Sequence, residues 1–287
     1  MTITEALAAA QARLTLAANT EAKLEAQLLL QHVLQVNRAW LIAHENDTLS
    51  PGTQAKFEAL LIRRLQGEPM AYILGEREFY GLVLQVTPAT LIPRPDTETL
   101  VEAALDKIPQ NMDVHVLDLG TGSGAIALAI AKHRSQANVV AVDASPAALE
   151  VAKHNADRLN ISNVQFVLSD WFSALEDQRF EIIVSNPPYI EADDPHLAQG
   201  DLRFEPPDAL ASGKDGLSDI RIIINQCLTH LKPQGWLMLE HGYNQAISVS
   251  ELMSSAGLVD VATIKDLGGN DRVTIGKNPL IVSTHWD

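Results

Sequence analysis

Val114-His115-Val116-Leu117-Asp118-Leu119-Gly120-Thr121-Gly122-Ser123-Gly124 runs from a strand pattern into a glycine-rich turn, and the helical stretch Ala125 to His133 follows at once. Glycines at such a turn let a ligand approach the backbone and let the helix start tightly against a sheet. Gly120, Gly122 and Ala125 also fit the spacing of a dinucleotide fingerprint, so the loop alone leaves the ligand open. The next strand, Asn138-Val139-Val140-Ala141-Val142-Asp143, puts a carboxylate about twenty residues past the glycines, where a ribose diol is bound in folds of this kind. Helix capping is the other use of an Asp there, but Ser145-Pro146 supplies a better cap and first helical residue. Asp143 therefore points to an adenosine-bearing ligand.

Working outward, the third strand pattern, Val164 to Ser169, ends in Asp170-Trp171. A carboxylate and an aromatic face at that edge suit an adenine amino group and its ring, although Trp171 with Phe172 could equally fill core. The fourth, Phe180 to Ser185, runs into Asn186-Pro187-Pro188-Tyr189. The two prolines strip this turn of backbone donors. The Asn186 side-chain oxygen and the Pro187 carbonyl can then each accept a hydrogen bond from one planar NH2 group, while the Tyr189 ring covers its flat face. Such a rim suits an amino or amide nitrogen. Asn-Pro is also a common turn opener, and the glycine turn upstream is what favours the chemical use.

After the glycine turn, strand and helix alternate: a helix over Ala147 to Leu159, an apolar helical run over Ile220 to Leu231, a strand over Gly235 to Glu240, and a helix over Gln245 to Ser255. Leu258 to Ile264 and Arg272 to Ile275 then read as strands with no room for a crossover helix, so they should pair antiparallel across Asp266-Leu267-Gly268-Gly269-Asn270. Alternation with short connections predicts an α/β fold: a doubly wound, mainly parallel seven-stranded sheet with helices on both faces. A terminal antiparallel hairpin on such a sheet is the Rossmann-like build of class I methyltransferases. Ligands of open sheets sit at the carboxyl ends of the strands, where all four turns fall.

Ahead of residue 76, Thr4 to Leu16, Thr20 to Val36, Arg38 to His44 and Pro51 to Leu65 carry apolar residues at three- and four-residue spacing. We expect a small helical bundle over residues 1–75, a hairpin linker over 76–90 centred on Gly81, and the main domain over 91–287. The bundle carries no evident chemistry, and a docking role for a protein substrate is favoured over a passive appendage. Arg63-Arg64 read as its solvated face. In Leu91-Ile92-Pro93-Arg94-Pro95-Asp96-Thr97-Glu98-Thr99, Asp96 or Thr97 is expected to cap the next helix, and Arg94 can orient a carboxylate or form a structural salt bridge.

The 287 residues, 46% hydrophobic and 20% charged, describe an ordinary globular protein of one large and one small domain. A formal charge of −15 and a pI near 4.9 disfavour direct binding to nucleic acid, which rests on Lys and Arg. No apolar run of membrane-spanning length and no leader pattern is evident, so no membrane partner and a cytoplasmic location are expected, with a monomer as the working state. The single cysteine, Cys227, reads as core, and the nine histidines show no metal-ligand spacing, so no metal is expected.

Taken together, Ile92-Pro93-Arg94-Pro95-Asp96-Thr97-Glu98, Asp118 to Gly124, Asn186-Pro187-Pro188-Tyr189-Ile190, Arg203-Phe204-Glu205-Pro206 and Gly268-Gly269-Asn270-Asp271-Arg272 resemble the bacterial peptide chain release factor glutamine methyltransferase family, over nearly the whole chain. The Asn-Pro-Pro-Tyr turn is shared with amino-methyltransferases of adenine or guanine. The Ile92 to Glu98 segment is more telling, because the corresponding stretch of the related family that methylates a ribosomal protein does not continue into Asp-Thr-Glu. The resemblance implies S-adenosyl-L-methionine as donor, S-adenosyl-L-homocysteine as product, and the glutamine of the Gly-Gly-Gln tripeptide of class 1 release factors as acceptor. It implies that Gly120, Thr121, Gly122, Ser123 and Gly124 line the methionine and ribose part, that Asp143 holds the ribose hydroxyls, and that Trp171 meets adenine with Asp170 beside it. Asn186, Pro187, Pro188 and Tyr189 would grip the glutamine, with Asn186, Pro187 and Tyr189 acting in catalysis and Asn186 also reaching the cofactor. Two other readings compete: an amino-methyltransferase of adenine or guanine in nucleic acid, which the negative charge opposes, and a non-catalytic adaptor that binds release factors, which would tolerate decay of the acceptor rim.

Overall fold

A computed structural model of the protein describes residues 1–280. It separates into two compact units, Met1–Glu76 and one beginning at Arg77. The last seven residues of the expected 91–287 domain, 281–287, lie outside the described part.

The first unit holds α1 (Ile3–Leu16), α2 (Ala22–Leu34), α3 (Arg38–Ala43), α4 (Pro51–Leu65) and α5 (Met70–Leu74). Local chemistry sets three of the starts. Thr2 and Glu5 form a capping box on α1, Asn37 caps α3, and Ser50 caps α4 with Pro51 behind it. The inward stripes meet in one core built on Leu14, Leu29, Leu30, Phe57 and Leu61, and each fully buried leucine stabilises it by about 1.5–3 kcal/mol. Arg64 is not on a solvated face. Its Nε and Nη2 reach the Glu25 carboxylate at 2.7 and 3.0 Å, a two-point pair between α4 and α2 with both side chains largely covered. The five-residue α5, between Pro69 and an αL Gly75, is too short for a periodic signal and was not expected.

The second unit opens with the hairpin β1 (Glu76–Phe79) and β2 (Leu82–Gln85). Tyr80 and Gly81 both have positive φ, as a two-residue type I′ turn requires. Phe79, Leu82 and Leu84 are buried in a core of this unit, and the Gln85 N–H donates to Asn155 Oδ1 at 2.7 Å. Then follow α6 (Glu98–Lys107), β3 (His115–Leu119), α7 (Ala125–His133), β4 (Asn138–Asp143), α8 (Pro146–Leu159), β5 (Val164–Leu168), β6 (Phe180–Ser185), α9 (Ser218–His230), β7 (Leu231–Glu240), α10 (Ala246–Ser255), β8 (Val259–Lys265) and β9 (Asp271–Lys277). The sheet has seven strands in the order β5-β4-β3-β6-β7-β9-β8, parallel except for β9, which runs antiparallel to both neighbours. The doubly wound α/β expectation and its terminal antiparallel pair are therefore met.

Side chains alternate across this sheet, and both faces are covered over its inner strands, while the edge strands β5 and β8 stay partly exposed. Val116, Ile182, Val184 and Met238 pack with α6 and α7, whereas Leu117, Leu119, Ile183, Leu237 and Leu239 pack with α9 and Met253 of α10. Burial on both faces explains why the strands read as continuous apolar runs. Cys227 is fully buried in the second of these cores, its thiol pushed up to about 12 by burial. Among the described residues no helix is long and apolar enough to cross a membrane.

Strand order reverses between β4 and β6 on either side of β3, which opens a crevice above their carboxyl ends.

Candidate active site

The glycine turn leaves β3 and is braced from below. Asp118 is fully buried. Its Oδ2 accepts from the Thr121 hydroxyl at 2.6 Å and from the Ala127 N–H at 3.2 Å. Burial pushes the Asp118 carboxyl up to about 7 against these two bonds, and the charge of Asp143 adds to the rise. Asp143, at the end of β4, accepts from the Gly122 N–H at 2.8 Å through Oδ2 and from the Ser145 N–H at 2.9 Å through Oδ1. Burial raises its carboxyl too, while these backbone donors pull it back. Ser145 caps α8 by accepting from the Ala148 N–H at 3.2 Å, which leaves Asp143 free of capping work. At Gly124 the chain turns into α7 with φ +85°, and a Cβ there would sit 3.0 Å from Leu128 of α7 and 3.2 Å from Ala152 of α8, so a glycine suits both the backbone and the close approach of the two helices.

Above this turn lies a cavity of about 460 Å³, within the size range of small-molecule sites. Gly120, Gly122, Asp143, Asp170, Trp171, Asn186 and Pro188 line it. Thr121 and Ser123 do not: they are buried at 5% and 2% exposure, turned under the loop. The adjacent aromatics part company. Phe172 is core and stacks on His230 at 4.6 Å, while Trp171, in the left-handed region at φ +46°, presents its ring beside Gly120, 3.6 Å from where a Cβ would stand. Thr90 and Ala209 also line it without a signal in the sequence pattern, alongside Leu91 and Pro206 from the stretches Leu91 to Thr99 and Arg203 to Pro206.

A smaller cavity of about 60 Å³ adjoins on the β6 side, lined by Arg94, Asn186, Pro187, Tyr189 and Leu202 among others. Asn186 lines both cavities. Its Nδ2 donates to Thr97 Oγ1 at 3.3 Å, which leaves the carboxamide oxygen turned away from Thr97. The Tyr189 hydroxyl donates to Glu240 Oε1 at 3.4 Å, and the Tyr189 carbonyl accepts from Gln245 Nε2 at 3.0 Å. Desolvation lifts the Tyr189 phenol well above the ordinary range, so it stays a donor. Gly216, at φ +69°, presses on the same carbonyl: a Cβ there would fall 2.2 Å from Tyr189 O.

The segment before α6 behaves differently from expectation. Neither Asp96 nor Thr97 caps α6 with its side chain, because a 3₁₀ turn over Pro95–Thr97 leads into the helix and the Thr97 N–H is spent on the Arg94 carbonyl at 3.1 Å. Thr97 turns its hydroxyl to Asn186, and Asp96 pairs with Arg272 at 3.3 Å. Arg272 also meets Asp266 at 3.1 Å, which ties the Gly268-Gly269-Asn270 turn to the site. Arg94 is a structural cation here: it pairs with Glu205, whose side chain is fully covered and whose Oε2 accepts from the Ile92 N–H at 2.9 Å. Among the described residues no group of three His, Cys, Asp or Glu could hold a metal ion.

Comparison with known proteins matches residues 5–75 to the PrmC N-terminal domain and residues 110–271 to a methyltransferase domain. The release factor glutamine methyltransferase of Xylella fastidiosa (strain Temecula1) is 51% identical over 92% of this chain and 97% of its own, and that of Escherichia coli (strain K12) is 48% identical over 91% and 94%. The chain belongs to the release factor glutamine methyltransferase family. As a member of that family it is a methyltransferase. Its fold is shared with a methyltransferase of Pyrococcus furiosus, which superposes with a TM-score of 0.54 at 20% identity, over 76% of this chain and 98% of that one. Helical front unit and catalytic sheet are thus both family features.

Proposed function

We propose that this enzyme transfers a methyl group from S-adenosyl-L-methionine to the side-chain amide nitrogen of the glutamine in the Gly-Gly-Gln tripeptide of class 1 release factors, in the cytoplasm. Asn186 carries the reading: it borders both cavities with its nitrogen committed to Thr97. A carboxamide oxygen is thereby offered where the two cavities meet, and an oxygen there accepts from an NH2 group.

The larger cavity fits the donor by chemistry as well as size. Asp143 has lone pairs left after its two backbone bonds, enough to receive a ribose diol. Gly120 and Gly122 let a chain approach the backbone, and Trp171 with Asp170 offers a face and a carboxylate to adenine. Thr121, Ser123 and Gly124 serve this site by shaping the turn rather than by touching the ligand. When bound, S-adenosyl-L-methionine supplies a methyl group activated by a sulfonium.

The protein's task is then to improve a poor nucleophile, since an amide nitrogen delocalises its lone pair into the carbonyl. The Asn186 oxygen, with the Pro187 carbonyl beside it, accepts the N–H bonds of the glutamine, and such bonds strengthen as positive charge grows on nitrogen. Tyr189 covers the amide and Pro188 closes the side toward the donor. The methylated amide cation sheds its proton without a strong base. We assign the helical front unit to docking the protein substrate.

The test is incubation with radiolabelled S-adenosyl-L-methionine and, in parallel, a purified class 1 release factor and ribosomal plus genomic nucleic acid. Methyl on the Gly-Gly-Gln glutamine, located by mass spectrometry, is the expected outcome. Label on a nucleobase alone would overturn the reading, as would binding of the donor with no label anywhere.

A further inference from the structure

Glu240 ends β7 next to the Asn-Pro-Pro-Tyr turn, and it is 1% exposed. A buried carboxylate is expensive and is kept only with well-placed partners. Glu240 has few. Oε1 accepts from the Tyr189 hydroxyl, Oε2 has no hydrogen-bond partner among the described residues, and the buried Thr97 lies against the carboxyl, its hydroxyl still pulling the carboxyl's pKa down. A glutamine or leucine would fill the same space at less cost. What only an ionised carboxylate provides is a group that accepts and never donates.

That one-way character has a consequence for Asn186. The two ends of a carboxamide have nearly the same shape, so packing alone does not choose which faces the acceptor cavity. Thr97 has one proton. If that proton goes to Glu240, the Thr97 oxygen can only accept, the Asn186 NH2 must turn toward it, and the Asn186 oxygen must face outward. If Glu240 carries a proton, it can donate to Thr97 or Tyr189. Thr97 is then free to donate to the Asn186 oxygen, and the carboxamide can turn over and present NH2 to the NH2 of the incoming glutamine, two donors face to face.

We propose that Glu240 is a positioning residue for the methyl acceptor, its ionised carboxylate fixing through Thr97 which end of Asn186 faces the glutamine and through Tyr189 the aromatic cover. This rests on the acceptor role assigned to Asn186 above.

The groups around Glu240 define when it is ionised. Burial pushes it up to about 7, Asp96 from the 3₁₀ turn adds to the rise, and Arg272 from β9, Thr97 and Tyr189 oppose it. The neighbouring His241 directs Nε2 to Thr274 at 2.8 Å, and burial lowers its own pKa, so it stays neutral. The relay is therefore set on the alkaline side of neutrality and relaxes on the acid side.

The experiment measures kcat and KM against a class 1 release factor across pH for wild type, Glu240→Gln, Thr97→Val and the double variant, with Asn186→Ala as reference. We expect the wild-type kcat to climb through about pH 7, in step with the Glu240 ionisation. Both single variants should lose kcat by roughly 10- to 100-fold, the scale of a misplaced reacting group, with the KM for S-adenosyl-L-methionine unchanged. The loss should not grow in the double variant, and Glu240→Gln should lack the acid limb. A Glu240→Gln enzyme with wild-type kcat and the same acid limb would overturn the proposal while Asn186→Ala stays inactive. An active Asn186→Ala enzyme would instead sink the acceptor reading on which it rests. Should Glu240→Gln fail to fold, Thr97→Val decides, since it removes the relay and leaves the carboxylate in place; full activity in Thr97→Val also counts against the proposal.

Discussion

Asp118 under the glycine turn and Glu240 beside the Asn-Pro-Pro-Tyr turn are alike in place and unlike in support. Each is a carboxyl at or next to the carboxyl end of a strand, essentially unexposed, with one oxygen lacking a hydrogen-bond partner among the described residues, and each is pushed up to about 7. Asp118 takes its donors from within nine residues, Thr121 and Ala127. Glu240 takes one from 51 residues upstream, Tyr189, and its second neighbour, Thr97, from another part of the chain altogether. A turn held locally forms with its own helix and serves many ligands. A turn held from distant segments has its geometry decided only when the whole sheet is assembled, and it can be tuned to one acceptor.

If this division of labour holds, damage to the two turns should separate cleanly. Asn186→Ala removes the acceptor-facing oxygen and should lower kcat on the order of 10²–10³-fold, the scale of losing one such electrostatic group. Affinity for S-adenosyl-L-methionine, read by calorimetry, should stay within a few-fold, and a fully active variant would dissolve the comparison. Asp143→Ala is the mirror case. Each charge-assisted bond lost is worth about 1.5–3 kcal/mol, so donor affinity should weaken by roughly 10- to 100-fold while kcat at saturating donor is largely kept. A loss confined to kcat would place Asp143 in the wrong half.

The same contrast explains what the sequence disclosed. Gly120 to Gly124, Asp143 and Asn186 to Tyr189 are short-range patterns, each a strand end followed by its turn, and the sheet brings most of them to one crevice. Thr97 and Asp96 looked like caps because a cap is the common local use of those residue types. The 3₁₀ turn that frees them for Asn186 and Arg272 has no signature beyond two prolines. Glu240 stands in the sequence pattern only as the last residue of a strand. Its neighbours Tyr189 and Thr97 become visible only through the adjacency of β6 and β7 and the placing of α6 against both. β7 begins at Leu231 rather than Gly235 because Lys232-Pro233-Gln234-Gly235 breaks the alternation, and the pairing with β6 slips there between Phe180 and Ile182. Gly216 and Gln245, which hold the Tyr189 carbonyl, were equally hidden.

Gly216 sharpens the acceptor half of the comparison. Gly216→Ala would drive a methyl to 2.2 Å from Tyr189 O in a backbone conformation that side chains rarely adopt, costing about 1–3 kcal/mol of stability. Because that carbonyl belongs to the turn we assign to the acceptor, kcat should fall by more than the loss of folded protein explains, while donor affinity follows only the folded fraction. Equal loss of both would mean that Gly216 supports the unit as a whole.

The smallest effect tests whether Asp118 is as structural as its local partners imply. Its carboxyl rises from the ordinary 3.8 to about 7 in the folded protein, so the folded state holds a proton that the unfolded chain releases earlier. Such a group contributes stability that is fully present below its unfolded pKa and is lost as pH rises through its folded one. Wild type should accordingly melt at a lower temperature at about pH 8 than at about pH 5, with Glu240 adding in the same direction. Asp118→Asn cannot ionise, and its melting temperature should fall less over that interval, by a few degrees at about 2–4 °C per kcal/mol for a unit of this size. Its carboxamide oxygen can still accept from Thr121 and Ala127, so the glycine turn should keep its shape and donor affinity should change little. An unaltered pH slope in Asp118→Asn would mean that Asp118 is already ionised in place. The likeness between the two carboxylates would then fail, and Glu240 alone would remain as the group whose protonation near neutrality matters.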